Sequence, residues 1–177
     1  MSNFPELEAD VARAPTVKLG EYEFQVFSIG ERGTLLKPAL LHEVVAGLIE
    51  KIHEKTAGQF DSIVTIHVTG AMWALPVALL LGKPLYVFTT EPNGIPGQAT
   101  FKQNRPYEPR NIYSPDLRGA GRCIIIDDVV SGGGTLNQIA STVRDAGGVP
   151  VGSFVVIDKG ASPNPGVQSL VRVKSPH

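Results

Sequence analysis

Ile124-Ile-Ile-Asp-Asp-Val-Val-Ser-Gly-Gly-Gly-Thr-Leu136 is the stretch on which the reading of this chain turns. The apolar run Cys123–Ile126 has the composition of a strand buried on both faces. Two adjacent carboxylates, Asp127 and Asp128, follow it. A short Ser/Gly loop comes next, and Thr135 stands at a helix start. Ligands of an open parallel sheet bind beyond the carboxyl ends of its strands. Gly132, Gly133 and Gly134 let the backbone come close to a bulky anion and take positive φ. The free N–H groups at the helix start favour a phosphate. Ser131 and Thr135 add hydroxyl donors. Asp127 and Asp128 can accept hydrogen bonds from a cis-diol and help hold a hydrated Mg²⁺. Adjacent carboxylates at a strand end are costly unless something cationic or hydroxyl-rich meets them. The bland alternative is a Gly-rich turn with Thr135 as a mere helix cap. The segment is not a P-loop, since no Gly-Lys-Ser/Thr follows the glycines.

Outward from this stretch, the pattern is that of one α/β domain. Lys37–His53 places Leu40, Leu41, Val44, Val45, Leu48, Ile49 and Ile52 at helical spacing. Asp61–Val68 and Leu85–Phe88 read as strands, with a helix from about Met72 to Leu81 between them. Leu136–Ala146 reads as a helix ended by Gly147-Gly148, and Val151–Ile157 as a further buried strand. Tyr22–Ile29 reads as a strand and residues 1–20 as a loose start or short helix. Glu91–Gly119 is a long loop rich in Pro, Gly and Asn, a kind that is usually functional; parts near Ala99–Gln103 and Asn111–Tyr113 can pair as a hairpin. The order implies a parallel sheet with helices on both faces.

Composition narrows the class. The 177 residues suit a single domain, and 42% hydrophobic with 19% charged residues fits a globular chain. A net charge of −1 gives no support to nucleic-acid binding. No apolar run reaches the roughly 18 residues of a membrane span, and the acidic start MSNFPELEAD has no signal-peptide core. A soluble, cytoplasmic protein is expected. The single cysteine, Cys123, reads as a buried small hydrophobe. No metal cluster with recognisable spacing is present.

The segment resembles the PRPP-binding motif of type I phosphoribosyltransferases: apolar residues, two acids, two variable residues, then a Gly/Thr loop. The likeness runs over about Lys18–Gly160. Asn93-Gly-Ile-Pro-Gly97 and Val156-Ile-Asp-Lys-Gly160 resemble the archaeal-type hypoxanthine/guanine enzymes in particular. The resemblance implies the type I phosphoribosyltransferase fold, with a small hood to which residues 1–30 and 159–177 contribute. It implies that Asp127 and Asp128 meet the ribose 2′ and 3′ hydroxyls of PRPP, directly or through Mg²⁺, as the catalytic pair. Ser131, Gly132, Gly133, Gly134 and Thr135 would cradle the 5′-phosphate. His67-Val68-Thr69-Gly70 matches the pyrophosphate loop, so Thr69 and Gly70 are PRPP contacts. The flexible loop, about Gly94–Arg118, carries Lys102, Arg105 and Tyr107. Lys159 matches a lysine that contacts the exocyclic oxygen of a 6-oxopurine. Partners on this reading are PRPP, a purine base and a second copy of the chain in a homodimer.

The chain also departs from the family pattern. Thr89, Thr90 and Glu91 stand where Arg or Lys commonly helps hold pyrophosphate, and His67 and Thr69 replace charged residues of the earlier turn. Lys102, Arg105, Arg110 and Arg118 can supply charge from the loop or be ordinary solvated cations. His67 reads equally as a pyrophosphate or acid/base contact and as a satisfied strand-end histidine. Trp73 reads as core. Tyr107 reads equally as a cover over the site and as an exposed loop residue. The expected activity is purine phosphoribosyl transfer in purine salvage, 6-oxopurine first and adenine next. The alternative is a non-catalytic sensor of PRPP or a nucleotide.

Overall fold

In the computed structural model the described residues are 3–20, 22–30, 35–103, 109–160 and 164–173. Along the chain these form α1 (Pro5–Arg13), β1 (Thr16–Leu19), β2 (Tyr22–Gln25), α2 (Pro38–Thr56), β3 (Ser62–Ile66) and α3 (Thr69–Leu81). They continue through β4 (Leu85–Phe88), β5 (Thr100–Gln103), β6 (Arg110–Tyr113), β7 (Arg122–Val130), α4 (Gly134–Asp145), β8 (Val149–Asp158) and β9 (Val167–Arg172). The main sheet has five strands in the order β4-β3-β7-β8-β9. Every neighbouring pair in it is parallel.

Period-two alternation divides the core. Ile124 and Ile126 of β7 join Ile63, Phe154 and Val156 beneath α2 and α3. Cys123 and Ile125 join Val64, Ile66 and Val155 beneath α4 through Leu136, Ile139 and Val143. Each fully buried isoleucine stabilises the fold by about 1.5–3 kcal/mol. Helices therefore cover both faces, as the strand composition required. α2 enters through Pro38 in its first turn and runs to Thr56, one turn past the predicted end. Burial raises the Cys123 thiol to about 11, so it stays a neutral core residue.

Several expectations are corrected. β7 does not stop at Ile126 but carries Asp127 and Asp128 inside the strand, because pairing with β8 continues through Asp127↔Val155 and Val130↔Asp158. Aspartate is a poor strand former, and tertiary pairing overrides that preference here. α3 begins at Thr69 and not near Met72, so Thr69 and Gly70 form its first turn. β2 ends at Gln25 and pairs with a strand the sequence did not signal, β1. One edge strand of the main sheet is β9, an element the sequence did not signal. Of the two readings of residues 1–20, the short helix holds, as α1. Glu43 of α2 accepts the Glu6 and Leu7 N–H groups at 3.1 and 2.8 Å, and Leu7 is buried. The β5–β6 hairpin forms as expected, with Thr100↔Tyr113 and Gln103↔Arg110 paired. Among the described residues no helix is long and apolar enough to cross a membrane.

Candidate active site

Chain order across the sheet reverses at β3. The chain leaves β3 for β4 on one side and returns to β7 on the other. The carboxyl ends of β3 and β7 thus flank the crevice in which open α/β sheets bind ligands. The structure brings the first turn of α3, the two acids and the Gly loop to this edge.

Contact between the turn after β3 and the acids is close. A Cβ on Gly70 would lie 2.7 Å from Asp127 Oδ1 and 2.8 Å from Thr65 Oγ1. Only glycine fits there. The Thr65 hydroxyl in turn donates to the Ile126 carbonyl at 2.8 Å, joining β3 to β7 just below the acids. Asp127 is buried, and its Oδ1 accepts the Asp128 N–H at 2.9 Å. Asp128 is half-buried against another glycine, since a Cβ on Gly30 would meet Asp128 Oδ2 at 2.9 Å. The Ile29–Gly30 turn is pinned from below, because Trp73 Nε1 donates to the Ile29 carbonyl at 2.9 Å. Trp73 is core, as expected, and it also holds the backbone beside Asp128.

Gly133 caps α4 with φ +73°, a conformation other residues rarely take. The helix is entered at Gly134, so Thr135 lies in its first turn and is not the cap. Its hydroxyl accepts a hydrogen bond from Gln103 Nε2 at 2.9 Å. Gln103 Oε1 accepts Arg110 Nε at 2.7 Å. The guanidinium therefore fixes the amide so that its NH₂ faces Thr135. The hairpin is docked on the Gly loop, and the Thr135 O–H keeps its own proton to give. Ser131, Gly132 and Gly134 are exposed at the same edge.

Lys159 follows β8, half-buried, and its N–H donates to the Val130 carbonyl at 2.9 Å. It stands beside the Gly loop. His67 is exposed in the turn after β3. Lys102 is exposed on the hairpin. Arg118 is engaged by Asp116, whose carboxyl its hydrogen bonds hold down at about 2. Arg110 is spent on Gln103 and is not an ordinary solvated cation. Arg105 and Tyr107 lie outside the described residues.

Sequence reading missed Gly30, Gln103, Asp158 and Asn164. Asp158 carried a signal: a carboxylate ending a buried strand, next to Lys159. Gln103 carried none, because its place depends on how the hairpin docks.

A family model, phosphoribosyl transferase domain, matches residues 32–177. HGPRTase-like protein 1 of Haloquadratum walsbyi is 30% identical over 159 residues, 90% of this chain and 82% of that protein. The hypoxanthine/guanine phosphoribosyltransferase of Methanobrevibacter ruminantium is 30% identical over 154 residues, 87% of this chain and 80% of its own length. The fold is similar to that of the Saccharomyces cerevisiae adenine phosphoribosyltransferase, with TM-score 0.74, 18% identity, and 96% and 98% of the two chains covered. It is similar also to the orotate phosphoribosyltransferase of Aeropyrum pernix, with TM-score 0.63, 21% identity, and 95% and 92% covered. The parallel sheet with its flanking helices is thus the type I phosphoribosyltransferase fold. The chain belongs to the phosphoribosyl transferase family and is, by that membership, a phosphoribosyltransferase, an enzyme that transfers a pentosyl group.

Proposed function

We propose that the enzyme transfers the 5-phosphoribosyl group of PRPP to a purine base and releases pyrophosphate, with 6-oxopurines favoured and adenine next. One observation carries this reading. β7 delivers Asp127 and Asp128 directly into a Gly loop that opens α4 at a positive-φ cap. A carboxylate pair for a diol and a helix start for a phosphate then stand together at the switch point of the sheet. In the archaeal relatives' favour, Lys159 stands beside the Gly loop at the carboxyl end of β8. The likeness to adenine enzymes is one of fold and carries no base preference.

Asp127 and Asp128 orient the ribose through its hydroxyls, and the Ser131–Thr135 loop anchors the 5′-phosphate. Thr69 and Gly70, in the first turn of α3, face the pyrophosphate side. The bond from C1′ to pyrophosphate breaks with its electron pair leaving on oxygen. The purine nitrogen forms the new bond and gives up its proton to the departing pyrophosphate or to solvent. Positive charge develops on the ribose, and the work of the protein is to position and neutralise. The fit of Mg²⁺ rests on the donors: Asp127 and Asp128 offer carboxylate oxygens only, suited to a hard, hydrated cation with few protein ligands. Bound there, it would neutralise charge on the pyrophosphate. We assign the β5–β6 hairpin the role of the cover that excludes water, and the cytoplasm as the place of action in purine salvage.

The test is incubation with PRPP, Mg²⁺ and each of hypoxanthine, guanine, xanthine and adenine, with nucleotide measured. Product from hypoxanthine or guanine is expected. Product from adenine alone would correct the base. Binding of PRPP without product from any base would favour the sensor, and no binding would overturn the reading.

A homodimer is proposed on a separate observation. Thr69–Leu81 contains no charged residue, and its outward Leu75, Leu79 and Leu80 are 62%, 80% and 66% exposed. Monomers rarely leave such a helix face in water. Sedimentation should find a dimer for the wild type and a monomer for Leu79→Lys at micromolar concentration. A monomeric wild type would overturn it.

A further inference from the structure

The Gly loop has little packing to fix it. A Cβ at Gly132 or Gly134 would meet nothing within 4 Å. Glycine also loses the most conformational freedom on ordering, so a Gly-rich anion site is costly to hold in its binding shape. A side chain from outside the loop does hold it. Asn164 Nδ2 donates to the Ser131 carbonyl at 2.9 Å. Asn164 Oδ1 stands 2.9 Å from where a Cβ on Gly133 would be, walling the loop at its positive-φ residue.

Asn164 is itself held firmly. Its Nδ2 also donates to Asp158 Oδ1 at 2.9 Å, and its backbone N–H to Asp158 Oδ2 at 3.4 Å. Asp158 is 4% exposed, and Oδ1 accepts the Gly160 N–H as well, at 2.8 Å. A buried carboxylate must be met by donors. Here the donors are Gly160 and Asn164, and the Asn164 side chain faces the loop. The amide orientation follows from its partners, since a flipped Asn164 would set oxygen against a carbonyl and a carboxylate.

We infer that Asn164, anchored by Asp158, is a positioning residue that presets the Ser131–Gly134 loop for the 5′-phosphate. The inference rests on the reading that this loop binds that phosphate. It assigns the segment after β8 a task besides base recognition.

Calorimetry with ribose 5-phosphate, and separately with pyrophosphate, tests it on the wild type, Asn164→Ala and Asn164→Asp. Asn164→Ala should bind ribose 5-phosphate about tenfold more weakly, the scale of one hydrogen bond in a preset site. Pyrophosphate affinity should stay within twofold, and the KM for PRPP should rise more than kcat falls. Asn164→Asp, which keeps the shape but loses the donor and faces Asp158, should lose more. Equal ribose 5-phosphate affinity in the wild type and Asn164→Ala would overturn the inference. So would a matching loss of pyrophosphate affinity, which marks general damage. A wild type that binds no ribose 5-phosphate would instead remove the phosphate reading beneath it.

Discussion

Asp128→Asn is expected to lower kcat/KM for nucleotide formation by about 10²–10³-fold, or roughly 3–4 kcal/mol of transition-state stabilisation. Asparagine has nearly the same shape and keeps one acceptor, so the Gly30 backbone can stay against it. On the proposed reading, what is lost is the charge offered to the ribose hydroxyls and any cation there. Stability should change little, because Asp128 is only half-buried. Asp127→Asn should lose activity on the same scale and also some stability. Its carboxylate is buried, accepts the Asp128 N–H, and packs against Gly70. Steady-state kinetics alongside thermal melts separates the two. Activity within threefold of wild type for both would show that the acids do not carry the ribose site.

Trp73→Ala should produce the largest loss of stability, about 3–5 kcal/mol. Trp73 is 0% exposed and lies under both α2 and the Ile29–Gly30 turn. Its removal leaves a cavity and orphans the Ile29 carbonyl. Trp73→Phe fills much of the space but makes no hydrogen bond, so about 1–3 kcal/mol should go. In that variant the turn beside Asp128 is also released. Its kcat/KM should fall several-fold at a temperature where it remains folded. Denaturant curves read by far-UV circular dichroism check the first result, since the change removes the single tryptophan. A loss below 1 kcal/mol for Trp73→Ala would mean that the cavity collapses.

The parts of the fold that announced themselves are those fixed by local pattern. The period of Lys37–His53 gave α2, and the β-branched run Asp61–Val68 gave β3, which is shorter at both ends. The acids and glycines after Ile126 marked the carboxyl edge of the sheet, where the candidate site lies. The rest depends on distant partners. β7 runs through Asp127 and Asp128 because β8 pairs alongside, which no local preference foretells. β9 follows Pro165-Gly166 without a strand signal of its own, and it is a strand because it has β8 to pair with. At the candidate site, the turn from strand to helix over Ser131–Thr135 was legible from composition. The Gln103–Thr135 bond and the Gly30–Asp128 contact were not, since each joins segments that only the folded chain brings together.

The switch in strand order also governs how the chain can come into being. Thr65 must find Ile126, 61 positions downstream, before β3 has both neighbours. Until β7 has left the ribosome, β3 and β4 have no sheet to join, and α3 has no β7 to pack on. Contacts so far apart in sequence are slow to close. The apolar α3 is meanwhile exposed to other chains, which makes that interval the aggregation-prone stage of synthesis. Because the same closure sets Gly70 against Asp127, folding of the sheet centre and assembly of the site are one event. A nascent chain that stops short of β7 can hold neither.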